Sequence, residues 1–238
     1  MPYGASPEEW AHWVLELGLT RDLLPVVCQP GLPISPTSKL TSYGKVPSRL
    51  TRDGHVIGFP AWTSHLTTDA EVSAWMQDDR LGICLQTREI RALDLDLSDV
   101  TAIQRAIDCT RMDGIAMPIR ARANSPRCLL LFRLPGAYPK QVLPTASGVI
   151  ELLATGQQCL VAGTHKDGAR YTWRGGLPTS SPTLTDAQLR LIQQELRTVL
   201  GTDDWSEGWL RKSRDPLQRA AEDDPMVAFL RANGWVRS

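Results

Sequence analysis

The sequence predicts an α+β fold, and three observations carry that expectation. Short apolar runs succeed one another through the middle of the chain, at 81–85, 90–97, 128–132 and 148–153, each of strand rather than helix length. Capped amphipathic stretches of helical period precede, interrupt and follow them, opened by Ser6, Thr68, Ser98 and Thr185. No internal repeat, heptad pattern or membrane-length apolar run competes with this reading.

The chain's 238 residues suit one large domain, or one domain with a small appendage, and can bury a sizeable core. Apolar residues at 42% and charged ones at 22% place it among ordinary soluble globular proteins. The five cysteines are scattered, with no Cys-x-x-Cys pair, which argues for reduced core thiols and against zinc or disulfides. With no signal peptide, the expected compartment is the cytoplasm, and no membrane partner is expected. A formal net charge of zero argues against a protein that simply coats nucleic acid. The distribution is less even. Between Thr101 and Lys140 the bases Arg105, Arg111, Arg120, Arg122, Arg127, Arg133 and Lys140 face only Asp108 and Asp113. A local basic face of this kind suits a polyanion.

Each element has a local cause. Ser6-Pro7-Glu8-Glu9 opens a helix with an N-cap, a first-turn proline and acids facing the dipole; it is expected to run through Leu17 and stop at Gly18. Residues 24–28 read as a short strand. The stretch 29–59, rich in Pro, Ser, Thr and Gly, reads as a long functional or mobile loop carrying Lys39, Lys45 and Arg49. A helix over 68–79 puts Val72, Trp75 and Met76 on one face. A strand at 81–85 leads into the acidic strand 90–97. Ser98 then caps a helix with Val100, Ile103 and Ile107. A strand at 117–121 enters the basic stretch, and 128–132, continuously apolar, reads as a buried strand. A strand at 148–153 is followed by 159–161, the loop 162–168 and a closing strand at 169–173. Beyond Gly175 the composition shifts. Residues 1–177 are expected to form the main unit, 178–184 a Pro/Ser/Thr linker, and 185–238 a small helical tail. That tail comprises an amphipathic helix at 186–200, a short one within 203–212, and a last one opened by Asp224-Pro225.

The chemistry centres on Ile-Arg-Ala-Leu-Asp-Leu-Asp-Leu at 90–97. On a strand Asp94 and Asp96 share one face, about 6–7 Å apart, while Leu93, Leu95 and Leu97 take the other. Two neighbouring acids repel unless a cation sits between them; a divalent metal is the usual occupant, and Mg²⁺ takes such hard oxygen ligands. The plainer reading is a surface strand with two solvated acids. Glu151 adds a third carboxylate within an apolar strand, where an unpaired charge is costly. Two-metal nucleotidyl transfer needs converging acids and cationic groups for a triphosphate. Asp94, Asp96 and Glu151 can supply the first; Arg122, Arg127, His165 and Lys166 are candidates for the second.

In this arrangement the chain resembles the bifunctional DNA primase/polymerase (Prim-Pol) family of the archaeo-eukaryotic primase superfamily, in its phage and prophage form. The resemblance rests on Ala92-Leu-Asp-Leu-Asp-Leu97, the arginine-flanked strand from Arg122 to Arg133, Ile150-Glu-Leu-Leu153 with Gly156-Gln-Gln158, and Gly163-Thr-His165 with Tyr171-Thr-Trp173. Lys45-Val46-Pro47 and Trp62 match more weakly. It implies an RRM-like catalytic sheet joined to a second α/β unit, and template-directed nucleotidyl transfer with Asp94, Asp96 and Glu151 as catalytic metal ligands. It also implies Mg²⁺ or Mn²⁺ as cofactor, and nucleoside triphosphates and a single-stranded DNA template as partners. A helicase, fused or separate, is a further partner it leaves room for, and the compartment becomes a bacterial or phage-infected cytoplasm. The family's second motif is commonly Ser-x-His; here Asn124-Ser-Pro-Arg127 stands in its place, so the nucleotide role passes to Arg127 with Ser125 as helper. Arg122, His165 and Lys166 join them as nucleotide-binding candidates, and Lys45, Arg105, Arg111 and Arg120 are the DNA-binding ones. The tail is expected to matter more for starting primers than for extending them. Two other classes stay open: a catalytically silent replication-initiation DNA-binding module, and a metal-dependent glycosyltransferase, which also uses Asp-x-Asp.

Overall fold

A computed structural model describes residues 3–112, 114–202 and 205–207. Its organising element is a seven-stranded antiparallel sheet, and alternation along the strands decides what each face does. The sheet contains β5 (Ile90–Leu97), β6 (Ile119–Arg122), β7 (Ser125–Arg133), β8 (Gln141–Thr145), β9 (Gly148–Leu153), β11 (Tyr171–Trp173) and β12 (Ser206–Glu207). Across the sheet they run β11-β6-β7-β5-β9-β8-β12, with the acidic strand at the centre.

One face is covered by α3 (Val100–Cys109) and α4 (Asp186–Leu200). Leu93, Leu95 and Leu97 of β5 meet Ile103 and Ile107 of α3 and Leu189, Ile192 and Leu196 of α4 there. The other face is covered in part by a three-stranded sheet, β1 (Leu23–Val27), β4 (Leu81–Gln86) and β10 (Gln158–Ala162), and by α1 (Pro7–Leu15). Ala92, Leu129, Leu131 and Leu153 pack against Ile83, Leu85 and Val161, with Trp10 and Trp13 of α1 fully buried beside them. The fold is therefore α+β, as the alternation of strand and helix signals implies.

Capping boxes fix three helix starts: Ser6 with Glu9, Thr68 with Glu71 at α2 (Asp69–Trp75), and Thr185 with Gln188. The start of α3 lies one residue later than expected, because Asp99 rather than Ser98 accepts from the Thr101 N–H. Within the expected loop 29–59, β2 (Ser48–Leu50) and β3 (Val56–Gly58) form a small hairpin. Strand β8 was not expected either. Its Pro144 argues against a strand, yet it is tolerated here because β12 bonds only to Val142 and Gln141, which leaves the proline beyond the ladder on that side. All five cysteines are free, and burial raises the thiol pKa to about 11 at Cys28 and about 12 at Cys159, in keeping with inert core thiols.

The described residues that follow Gly175 are docked onto the sheet. Arg133 N–H donates to Pro182 O at 2.7 Å, and Leu184 N–H donates to Arg133 O at 2.8 Å. Leu184, Leu189, Ile192 and Leu196 are buried in the main core, so a cut after Pro182 would remove core side chains together with the tail. Ser206 and Glu207, within the stretch expected as a short helix, instead add strand β12 to the edge. The last expected helix lies outside the described residues. No helix among the described residues is long and apolar enough to cross a membrane.

Candidate active site

The burial of Leu93, Leu95 and Leu97 against α3 and α4 turns Asp94 and Asp96 to the face where the two sheets part. Asp94 stands directly opposite Glu151 on β9, so their side chains leave the sheet on the same side, with Cβ atoms about 5 Å apart. The same transverse row continues through Leu129 on β7 to Arg120 on β6, and through Glu151 to Val142 on β8. Lys140 precedes Val142 by two residues and shares its face. Its Nζ lies 2.5 Å from Glu151 Oε1, and its side chain is only 8% exposed. Arg127, two residues before Leu129, brings Nε to 2.7 Å from Asp96 Oδ1.

These groups line a cleft of about 380 Å³. Its opposite wall is made by Gln158, Cys159 and Leu160 of β10 and by the Gly44–Val46 turn; Arg122, His165 and Tyr171 close one end. Arg120 crosses it to donate to Leu160 O, with its guanidinium 4.3 Å above the Tyr171 ring. The loop carrying His165 reaches the cleft because Gly163 takes φ 113°, where a Cβ would come within 2.8 Å of Cys28 Sγ.

Charge explains how the acids behave. Burial raises the pKa of Asp94; Arg120 and Lys140 pull it down, and Asp96 and Glu151 push it further up. Asp94 makes no ion pair among the described residues, unlike Asp96 and Glu151. His165 Nδ1 is held by Arg122 and by Asp167, whose Oδ1 is 2.8 Å away. Burial holds the pKa of His165 below its usual 6.5, with Arg122 adding to the effect and Asp167 opposing it. The ring's other nitrogen, Nε2, has no protein partner among the described residues.

Three carboxylates on one sheet face are a hard oxygen donor set of the kind Mg²⁺ and Mn²⁺ take. As the side chains stand, no three His, Cys, Asp or Glu groups among the described residues are gathered closely enough to hold a metal ion. Two bases account for the spread, since Glu151 is drawn to Lys140 and Asp96 to Arg127. The donor chemistry and the unpaired, charge-crowded Asp94 nevertheless fit a divalent cation.

Of the residues singled out from the sequence, the cleft brings together Asp94, Asp96, Glu151, Lys45, Arg120, Arg122, Arg127 and His165. Ser125 stands at the cleft's margin, its hydroxyl accepting from the Arg127 N–H at 3.3 Å. Lys166 is exposed on the loop beside His165 and does not line the cleft. Arg105 and Arg111 belong to α3 and the turn after it, on the far side of the sheet from the carboxylates, with Arg111 paired to Asp108 at 3.2 Å. Arg120, expected as a template contact, lines the cleft beside Asp94. Lys140, Gln158 and Asp167 were given no role from sequence. A strand assignment over 141–145 would have revealed Lys140, because strand periodicity places it on the face of Glu151.

The family model described as bifunctional DNA primase/polymerase, N-terminal, matches residues 21–184, well over half of the chain and the whole of this cleft. No curated protein matches the sequence.

Proposed function

The chain belongs to the bifunctional DNA primase/polymerase family, and from that membership we propose that its cleft carries out divalent-metal nucleotidyl transfer on a single-stranded DNA template, both starting and extending primers. The observation that carries the reading is the row of Asp94 opposite Glu151, with Asp96 beside it and Arg120, Arg127 and Lys140 on the same sheet face, all lining one cleft.

In this reading Asp94, Asp96 and Glu151 hold Mg²⁺ or Mn²⁺. Such cations would supply charge neutralisation at the triphosphate and activation of the attacking oxygen. The primer's 3′-oxygen attacks the α-phosphorus of a nucleoside triphosphate, a phosphodiester forms, and pyrophosphate leaves with the electrons of the broken P–O bond. The protein's own contribution is positioning and charge. His165 Nε2, Arg122 and Arg127 are placed to meet the triphosphate, Arg127 taking the nucleotide role with Ser125 setting its backbone. Lys45 on the turn opposite is placed to meet phosphate at the cleft mouth, and Lys166 lies just outside it. Arg105 and Arg111, on the far side, would serve the template only where the strand wraps past α3. A helicase, fused or separate, and a cytoplasmic, phage-associated setting complete the proposal.

The experiment offers the chain unprimed single-stranded DNA, and separately a primed template, with labelled nucleotides and either Mg²⁺ or Mn²⁺. Products on both substrates are expected. Binding of DNA without incorporation on either would instead identify a silent replication-initiation module.

A further inference from the structure

On the sheet face of the cleft, three acids and three bases stand in contact or in register, Asp94, Asp96 and Glu151 against Arg120, Arg127 and Lys140, while Arg122 at the cleft's end is paired with Asp167 and Lys45 belongs to the opposite wall. The formal charges of those three acids and three bases cancel. Lys140 is the member with least freedom, because its side chain is 8% exposed and its ammonium meets Glu151 at 2.5 Å. An ammonium this shielded from bulk water needs an anion beside it, and among the described residues Glu151 is the one it pairs with.

The geometry points to a charge-compensated resting state in which Lys140 occupies the cation's position against Glu151, so that divalent metal and nucleoside triphosphate load as a coupled pair. This rests on the carboxylates being the metal site. A dication placed on Glu151 lies within a few ångströms of the Lys140 ammonium and is repelled by it. The repulsion is relieved when Lys140 moves to another anion, and the anion that enters the same cleft is the triphosphate. Arg127 makes the parallel exchange, leaving Asp96 for phosphate. Metal alone therefore binds against two resident cations, whereas metal with triphosphate binds as the bases change partners. By linkage the coupling is reciprocal. Lys140 is thus a positioning residue, acting through Glu151 and setting the order of loading.

The test measures Mn²⁺ binding by the full chain through the electron paramagnetic resonance signal of free Mn²⁺, first alone and then with a non-hydrolysable nucleoside triphosphate. Lys140→Met removes the charge and keeps most of the volume; Lys140→Gln keeps a hydrogen-bond donor for Glu151 should the methionine variant fail to fold. Either variant is expected to bind Mn²⁺ alone roughly tenfold tighter than the parent, near the lower end of measured site–site couplings, and to gain less from added triphosphate. A lysine that merely props Glu151 in place predicts the opposite, weaker metal binding on its removal. Unchanged or weaker Mn²⁺ affinity in the folded variants overturns the inference. Asp94→Asn separates this from the reading beneath it: if the parent chain binds no Mn²⁺ with or without triphosphate, or Asp94→Asn binds as the parent does, the metal site itself falls.

Discussion

Asp94 is half-buried beside Asp96 and Glu151, has no ion pair among the described residues, and loses more by burial than Arg120 and Lys140 return, so its ionised form strains the metal-free cleft. Its pKa in the folded chain is raised above 3.8 by burial and by Asp96 and Glu151. Between 3.8 and that raised value the folded state binds more protons than the unfolded one, so acidification through the window favours folding, and at neutral pH the charged group destabilises. Asp94→Asn is therefore expected to melt at higher temperature than the parent in metal-free buffer at pH 7, with the gap closing as pH falls toward 3.8. Thermal melts of both chains across that range check the sign; a lower Tm for the variant at pH 7 would show that Asp94 is stabilised by a contact this account lacks. His165 offers a second residue-scale test. Its Nδ1 is engaged by Arg122 and Asp167, so only Nε2 can serve a ligand. His165→Ala should raise KM for nucleotide by about 10- to 100-fold, as loss of a hydrogen bond to a charged group implies, and change DNA affinity little. Steady-state kinetics set beside DNA-binding titrations distinguish the two effects.

At the scale of elements, the β8–β9 turn sets where Glu151 stands. Gly148 adopts φ 145°, and a Cβ there would lie 2.2 Å from Asp96 O. Gly148→Ala must push β9 away from β5 or break the turn, and should cost at least about 2 kcal/mol in chemical denaturation together with most of the activity. A variant as stable and active as the parent would mean that the β5–β9 pairing does not depend on this close approach and does not fix the carboxylate row. The same elements show what could be read beforehand. β5, β7 and β9 were legible because period-two alternation or a continuous apolar run marks each, and Asp94, Asp96 and Glu151 were named from that pattern. The hairpin Ser48–Leu50 with Val56–Gly58 was not, since three-residue strands carry too little periodicity to register among Pro and Gly. Pro144 hid β8 and, with it, the place of Lys140. The role of α4 was hidden for another reason: an amphipathic stripe shows that a helix buries one face, but not that it buries it in the main core beside α3.

For the molecule as a whole, two sheets share a hydrophobic interface through Leu129, Leu131, Leu153, Ile83, Leu85 and Val161, and part where polar side chains replace apolar ones. That parting forms the cleft. The larger sheet supplies the acids and most of the bases; β10 of the smaller one and the Gly44–Val46 turn supply the opposite wall; α3 and α4 back the central strand with a packed layer. The central claim is that this cleft transfers nucleotides under template direction through Asp94, Asp96 and Glu151. Single-nucleotide addition to a labelled primer–template, with Mg²⁺ or Mn²⁺, tests it most directly when the parent is run beside Asp94→Asn, Asp96→Asn and Glu151→Gln, all confirmed as folded. The parent should add the nucleotide complementary to the templating base, and each variant should lose at least about 10³-fold in rate, a deficit of about 4 kcal/mol in the barrier. Near-normal addition by both aspartate variants would contradict the account.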